Sequence, residues 1–239
     1  MTKIIAHRGA WKEFHFPENS LASLKKAIEI GCYGSEFDVQ KTKDNQLIVF
    51  HDSYINNQPI EYLNYQDLKE ILLSNGECIP TLDDFFLIAK NQLVTKLILE
   101  IKSSVFSLNE TIKTVELVIE KINEFKLFPN QVEFILFSWE ASIHLKKKLN
   151  NFNVYYLEGN KSVNDIIEVG LNGIDYHYSI YQSNNNIIEE CKINKLFTNS
   201  WTVNKIEIAN NFIKRGIDFI TTDFPNEFLQ IPNQYKTKE

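Results

Sequence analysis

Basic clusters are missing from this chain of 239 residues, whose formal net charge is −6 and whose isoelectric point is about 5.5. Its one tight run of lysines, Lys146-Lys147-Lys148, falls on a predicted helix and reads as that helix's solvated face. A nucleic-acid partner bound through a basic surface is therefore not expected. Cysteine is scarce: Cys32, Cys78 and Cys191 are odd in number, far apart and in no CxxC pair. That leaves neither a disulfide framework nor a zinc site. No apolar run approaches the roughly 18 residues that a membrane span requires. The amino terminus enters a strand at about Lys3, without the charged, apolar and cleavage regions of a secretory signal. A cytoplasmic location without stable membrane association is the expectation. No GxGxxG or phosphate-binding loop follows a predicted strand, and no internal repeat, linker or low-complexity segment is visible. Nothing in the sequence sets an oligomeric state.

What is present is an alternation of strands and helices. Asn19 or Ser20 supplies an N-cap and Gly31 a stop for a helix over 21–30, which follows a first strand beginning near Lys3. Extended pieces at 35–40 and 46–50 flank the turn residues Lys43-Asp44-Asn45-Gln46 and predict a hairpin. The stretch 53–80 is weakly patterned, with turns at Asn56-Asn57 and Asn75-Gly76 and a short helix near 67–73; a helix from Thr81 runs to about Lys90. Further strands are expected near 96–101, 132–137, 153–157, 172–176, 195–199 and 217–222. Helices are expected near 108–125, 139–149, 162–168, 185–192 and 203–214, with a last turn after Pro225 and a frayed tail from Gln234. Eight core strands with helices between them predict an α/β chain. Its expected form is one (β/α)8 TIM barrel domain over 1–239, with a short insertion after the second strand. An open doubly wound sheet is the alternative.

Three strand ends stand out. In Ser35-Glu36-Phe37-Asp38-Val39-Gln40 the carboxylates of Glu36 and Asp38 share one face. An ordinary half-buried strand alternates in the same way. However, Leu97-Ile98-Leu99-Glu100-Ile101-Lys102 repeats the design, and Ile4-Ile5-Ala6 runs into His7-Arg8-Gly9. In parallel sheets the strands are apolar and functional groups gather at their carboxyl ends, so these residues predict one shared site.

The ordered set His7-Arg8-Gly9, Pro17-Glu18-Asn19-Ser20, Glu36-x-Asp38, His51-Asp52, Glu100-x-Lys102, Trp201-Thr202-Val203-Asn204 and Thr222-Asp223-x-Pro225 resembles the glycerophosphodiester phosphodiesterases, which are (β/α)8 barrels. The resemblance departs between Ser53 and Pro80, where the Arg-Thr-Thr-like segment common in the family is absent. That departure bears on substrate preference more than on chemistry. The resemblance implies hydrolysis of a small glycerophosphodiester to glycerol 3-phosphate and an alcohol, through a glycerol cyclic phosphate. It also implies that Trp201 lines the organic part of the substrate, with core packing as the plainer role.

The residues support the same reading. Glu36, Asp38 and Glu100 are hard oxygen ligands suited to one divalent cation, Mg²⁺, Ca²⁺ or Mn²⁺. That ion, with Arg8 and Lys102, balances three carboxylates and one phosphodiester. His7 and His51 are the acid–base pair, because an alkoxide is a poor leaving group and its attacker must lose a proton. Arg8 and Lys102 act as charge clamps on the substrate. Glu18 reads as a pocket residue, as a residue supporting the pocket from behind, or as part of a helix cap, and Asp223 as a cap for the last turn. His177, with Tyr176 and Tyr178, either shapes the pocket or joins an aromatic cluster. His15 and His144 read as loop and helix-surface residues. A lipid-acting barrel phospholipase of the sphingomyelinase D or phosphatidylinositol-specific type is the nearest alternative, disfavoured by the lack of a basic or exposed aromatic membrane-facing segment. A non-catalytic sugar-phosphate-binding barrel is the alternative of another class.

Overall fold

Eight parallel strands close into a barrel in the order β1 (Lys3–Ala6), β2 (Gly34–Lys41), β6 (Lys96–Ile101), β7 (Val132–Leu136), β8 (Val154–Tyr156), β9 (Gly173–His177), β10 (Phe197–Trp201) and β11 (Phe219–Thr222), with β11 paired back to β1. The computed structural model describes residues 1–231, so the tail from Gln234 lies outside the described residues. The single-domain (β/α)8 barrel expected from the alternation is the observed architecture. Among the described residues no helix is long and apolar enough to cross a membrane.

Burial explains why β2 can carry so many polar groups. All eight of its residues are buried. Phe37 and Val39 pack outward against the helices, while Glu36, Asp38 and Gln40 point into the barrel rather than to solvent. Register places Asp38 beside Glu100 on β6. Beneath them a layer of Ile5, Ile98, Ile135, Tyr155, Leu157 and Phe219 fills the interior. A larger apolar shell joins the strands to α1 (Leu21–Glu29), α3 (Leu82–Lys90), α4 (Leu108–Phe125), α5 (Trp139–Lys148), α6 (Val163–Glu168), α8 (Ile187–Ile193) and α9 (Ile206–Arg215).

The hairpin expected at 35–50 forms: β3 (Leu47–Val49) runs antiparallel to β2 through Val39↔Val49 and Lys41↔Leu47. After it comes the insertion, a small hairpin of β4 (Tyr54–Ile55) and β5 (Gln58–Pro59), a 3-10 turn at Ile60–Tyr62 and α2 (Tyr65–Leu68). Ile48, Ile60, Leu68 and Ile79 form its own small core. The helix expected near 67–73 stops at Leu68, because the Asn75-Gly76 turn draws Leu72 and Cys78 into an antiparallel bridge. The strand expected at 195–199 starts two residues later, since Lys195 takes a left-handed conformation and Leu196 bonds back to Cys191. That shift puts Trp201 inside β10. Helix α9 begins at Ile206 rather than 203, because Val203 bonds to Thr221 and the Asn204 side chain is engaged by β11 and Asp223. A short α7 (Tyr178–Ser183), capped by His177, was not anticipated, and α10 (Pro225–Phe228) is the expected last turn.

At the amino end of the barrel, away from these strand ends, Glu133 is buried and its Oε1 meets Lys96 Nζ at 2.6 Å, Tyr33 OH at 2.9 Å and Asn153 Nδ2 at 3.1 Å. Tyr155 OH reaches its other oxygen at 3.2 Å. Removing one partner of a buried ion pair leaves an uncompensated charge. Lys96→Met is therefore expected to destabilise the fold by about 3 kcal/mol, or roughly 6–12 °C in Tm for a chain of this size. Lys96→Met/Glu133→Gln, which keeps the acceptor but removes its charge, is expected to recover at least half of that. Equal melting temperatures for the single and double variants would show that charge pairing does not hold this end together.

Candidate active site

The first strand ends in a loop whose geometry depends on its sequence. Arg8 and Gly9 both have positive φ, 54° and 83°. A Cβ on Gly9 would lie 2.3 Å from Ser23 Oγ, so only glycine fits there. The turn aims the Arg8 N–H at Glu36 Oε2, 2.8 Å away, and directs the guanidinium onto Glu18, whose two oxygens each lie 2.9 Å from NH1. Glu18 thus takes the supporting role among its expected ones, behind the pocket, rather than that of a cap or a pocket wall. It holds Arg8, whose Nε lies 3.6 Å from Asp38. Ser20 is the N-cap of α1, accepting from the Ser23 N–H. Asn19 is left free of that task and clasps Asp38 instead. Its Nδ2 donates to Oδ2 at 2.8 Å and its Oδ1 accepts the Asp38 N–H at 3.2 Å.

Glu36, Asp38 and Glu100 converge, all buried, with one oxygen of each within 4.8 Å of the others. Lys102 Nζ reaches Asp38 at 3.2 Å and Glu100 at 2.9 Å. Burial, then repulsion from Asp38 and Glu100, raises the Glu36 pKa well above the usual carboxylate range. Burial and Asp38 push Glu100 up to about 7 despite Lys102. Asp38 goes the other way: burial raises it, but Lys102, the Asn19 amide, His51 and Arg8 together outweigh that and lower it. The Glu100 oxygen that Lys102 approaches is Oε1, which is buried. Three clustered, buried carboxylates, two of them resisting ionisation, fit a hard divalent cation.

His7 Nδ1 lies 2.7 Å from Asp223 Oδ1, and Asp223 is itself held by Asn204 Nδ2 at 2.8 Å and Lys12 Nζ at 3.3 Å. Burial would raise Asp223, but His7 and Asn204 prevail and hold it at about 2. Asp223 therefore orients a histidine and does not cap the last turn. His51 Nδ1 lies 2.7 Å from Asp52 Oδ1, and Gln40 Nε2 ties down the same loop through the carbonyls of Phe50, His51 and Asp52 at 2.7, 3.2 and 2.7 Å. With Nδ1 of each ring directed at a carboxylate, Nε2 is the nitrogen left for the cavity.

Both histidines, Arg8, Lys102 and the three carboxylates line one cavity of about 220 Å³, together with Ile135, Phe137, Leu157, Asp175, Trp201 and Thr221. Trp201 packs edge-on against Phe137 and His177, and its Nε1 donates to the Asp175 carbonyl at 2.9 Å. All eight residues singled out from the sequence thus meet in one place. His177 caps α7 and packs on Tyr178, so it belongs to an aromatic cluster outside the cavity lining. His15 sits in a loop, and His144 on α5 pairs with Glu116. The sequence reading missed Gln40 and Asp175. Burial pushes the Asp175 carboxyl up to about 8, against the Asn199 side chain. It also missed a surface feature: Tyr62 and Phe106 stack with ring centroids 4.5 Å apart, and both are exposed, as are Val105 and Leu108. Of these residues Val105 lines a small pocket together with Lys102, just past the end of β6.

Comparison with known proteins gives a consistent result. The model of the Glycerophosphoryl diester phosphodiesterase family matches residues 7–227. A glycerophosphodiester phosphodiesterase of Caldanaerobacter subterraneus subsp. tengcongensis is 31% identical, with 96% of this chain and 97% of that protein covered. A crystal structure of a glycerophosphodiester phosphodiesterase from Parabacteroides distasonis has a TM-score of 0.95 at 37% identity, covering 99% of this chain and 98% of that one. An Oleispira antarctica phosphodiesterase, solved in complex with the product sn-glycerol-3-phosphate, shares the fold with a TM-score of 0.85 at 22% identity, over 98% and 97% of the two chains.

The raised carboxylates set a pH dependence. Between the ordinary 4.5 and about 7 the folded chain binds more protons at Glu100 than the unfolded chain does, and Glu36 is shifted the same way. Cation-free stability therefore falls as pH rises across that window. Asp38 and Asp223 act oppositely and at lower pH: their contribution is present above 3.8 and is lost as pH falls towards 2. The cation-free Tm is expected to drop between pH 5 and pH 8, and millimolar Mg²⁺ or Ca²⁺ to raise it more at pH 8. Glu36→Gln keeps an acceptor for Arg8 while removing a like charge. It is expected to melt no lower than the parent without cation and to lose the cation-induced shift. A clearly lower cation-free Tm with the shift intact would make Glu36 structural.

Proposed function

This chain belongs to the glycerophosphoryl diester phosphodiesterase family, and from that premise we propose that it hydrolyses glycerophosphodiesters to glycerol 3-phosphate and an alcohol. The observation that carries the reading is the pairing of two carboxylate-oriented histidines with the acidic trio in a single cavity. A binding-only barrel needs cationic groups and has no use for two oriented imidazoles.

Glu36, Asp38 and Glu100 hold one divalent cation, Mg²⁺, Ca²⁺ or Mn²⁺. When bound, the ion supplies Lewis-acid polarisation of the phosphate and offsets the charge of the trio. Arg8 and Lys102 bind the phosphodiester oxygens. Glu18 keeps Arg8 in place and Asn19 keeps Asp38 in place, and Trp201 with Phe137 forms the wall for the organic part. One of His7 and His51 accepts a proton at Nε2 from the attacking hydroxyl as the new P–O bond forms. The other donates a proton to the alkoxide as the old P–O bond breaks. The attacking group is the glycerol 2-hydroxyl, which is already tethered near phosphorus. Well-oriented intramolecular attack is worth about 7–11 kcal/mol in effective molarity. The five-membered cyclic phosphate is then opened by water with the two imidazoles exchanging roles. The site works in the cytoplasm on soluble diesters, in keeping with three unpaired thiols, two of them buried.

The exposed, stacked Tyr62 and Phe106, the latter next in sequence to Val105 of the Lys102 pocket, favour a second reading, in which the substrate is a lipid presented at an interface. Turnover of micellar lysolipid in preference to glycerophosphoethanolamine would establish it.

His7→Ala and His51→Ala are each expected to lower kcat by about 10²–10⁴-fold. Their double variant should lose much less than the product of the two, because the pair acts as a unit. A single variant with near-parental kcat would drop out of the mechanism. The nucleophile is tested by comparing glycerophosphoethanolamine with its analogue lacking only the glycerol 2-hydroxyl, on which turnover should be lost. Comparable kcat on the two would mean that water attacks directly.

A further inference from the structure

Asp175 is a buried ionisable residue that the mechanism leaves without a task. It lies two residues before the end of β9 and lines the cavity, with a relative exposure of 2%. Strand β9 stands across the barrel from β2, four places round the eight-strand ring, so Asp175 faces the Glu36–Asp38 side from the far wall. It is not one of the clustered trio. Among the described residues its carboxylate has no cation at ion-pair distance, and its buried Oδ1 takes no well-directed hydrogen bond, although the Asn199 side chain lies near enough to favour its charged form. Its neighbour in register, Asn199, donates its Nδ2 to Thr221 Oγ1 at 2.8 Å and accepts the Ser200 N–H at Oδ1. The Asp175 carbonyl holds the Trp201 indole, but that contact involves only backbone and would survive with any side chain. A buried acceptor left unpaired is destabilising, and a carboxyl more so than an amide. Yet a leucine or isoleucine of similar size would continue the apolar wall that Ile135 and Leu157 form on the next strands.

The closed end of the cavity gives the acceptor a purpose. Below Asp175 the packed layer of Ile5, Ile98, Tyr155 and Phe219 seals the barrel, so nothing long can pass through the floor. The leaving alcohol varies and must depart to solvent at the rim, where Trp201 and Phe137 stand. The retained half therefore occupies the depth. If the phosphate and the 2-hydroxyl sit against the acidic trio, the remaining primary hydroxyl of glycerol points to the opposite wall. A hydroxyl always has a hydrogen to give, and a carboxyl oxygen accepts it in either protonation state. We propose that Asp175 is a specificity-determining residue that accepts a hydrogen bond from the free primary hydroxyl of the substrate's glycerol unit, restricting the enzyme to diesters whose glycerol is not acylated there. The proposal rests on the glycerophosphodiesterase reading of the site and adds the feature of glycerol that is read.

Sites built around a buried partner for a hydroxyl reject the analogue lacking it, because the protein group is then left unpaired. The test compares glycerophosphoethanolamine with an analogue in which the primary hydroxyl is replaced by hydrogen and the 2-hydroxyl is kept. In parallel, calorimetry compares the binding of glycerol 3-phosphate and its matching deoxy analogue in the presence of Mg²⁺. The parent enzyme is expected to prefer the hydroxylated substrate by at least about 10²-fold in kcat/KM. Asp175→Leu should collapse that preference to within threefold by losing activity on the hydroxylated substrate alone. Asp175→Asn, which retains a carbonyl acceptor, should keep part of it. Circular dichroism and the Mg²⁺-induced Tm shift establish that each variant is folded with its acidic trio intact. Should Asp175→Leu not fold, the parent's own preference and that of Asp175→Asn decide. Equal kcat/KM of the parent on the two substrates, or an equal loss on both in the variants, overturns the inference. A parent that turns over no diester yet binds glycerol 3-phosphate far more tightly than the deoxy compound overturns the functional reading and upholds the recognition. If it neither turns over nor discriminates, both are overturned.

Discussion

Mutual repulsion of three buried carboxylates is the constraint around which this barrel mouth is built. Unit charges about 4 Å apart interact by about 4 kcal/mol at an effective dielectric of 20, so Glu36, Asp38 and Glu100 would drive the strand ends apart if all were ionised and unopposed. The fold answers with fixed donors. Arg8 contributes its backbone N–H to Glu36 and its guanidinium to Asp38, Asn19 grips Asp38 at two points, and Lys102 lies between Asp38 and Glu100. Asp38 is the carboxylate these donors serve best, and it is the one that ionises easily. Glu36 and Glu100 are left raised. The cluster is compensated enough to fold and uncompensated enough to take a cation.

The two imidazoles are placed by a second layer of the same kind. His7 at the end of the first strand is oriented by Asp223 after the last, two residues 216 positions apart that meet because β11 closes onto β1. His51 is oriented by its sequence neighbour, on a loop that Gln40 pins through three carbonyls. One imidazole is thus set by closure of the barrel and the other by the hairpin laid on β2. Barrel closure and imidazole placement are therefore the same event for His7, which ties the orientation of this ring to the integrity of the last strand.

Much of this was legible in the chain, and the rest fails for identifiable reasons. Local alternation puts Glu36 with Asp38 and Glu100 with Lys102, so the site residues could be named without a structure. Alternation does not say whether the polar face meets solvent or the barrel interior, because that is decided only by eight strands closing. Pro17-Glu18-Asn19-Ser20 was read correctly as the approach to a helix, yet only Ser20 caps it; Glu18 and Asn19 reach residues that are distant or on another strand. Asp223 looked like a cap because it precedes Pro225, and its partnership with His7 is wholly tertiary. Asp175 carried a faint signal, an acid amid the apolar residues of Gly173-Ile174-Asp175-Tyr176. The displaced start of α9 came from the bond of Val203 to the remote Thr221 carbonyl, which no local propensity records, whereas β10 is delayed by the left-handed turn at Lys195 that ends α8.

The central claim, that the acidic trio is arranged for one divalent cation and is partly protonated without it, is most directly tested by calorimetric titration of the cation-free protein with Mg²⁺ or Ca²⁺ near pH 6.5, in buffers of different ionisation enthalpy. Ligands that must lose protons on binding make the apparent heat depend on the buffer. One ion per chain and net proton release are expected, the release shrinking at higher pH as Glu100 ionises on its own. Binding without proton release at pH 6.5, or no binding at the trio at all, would contradict it.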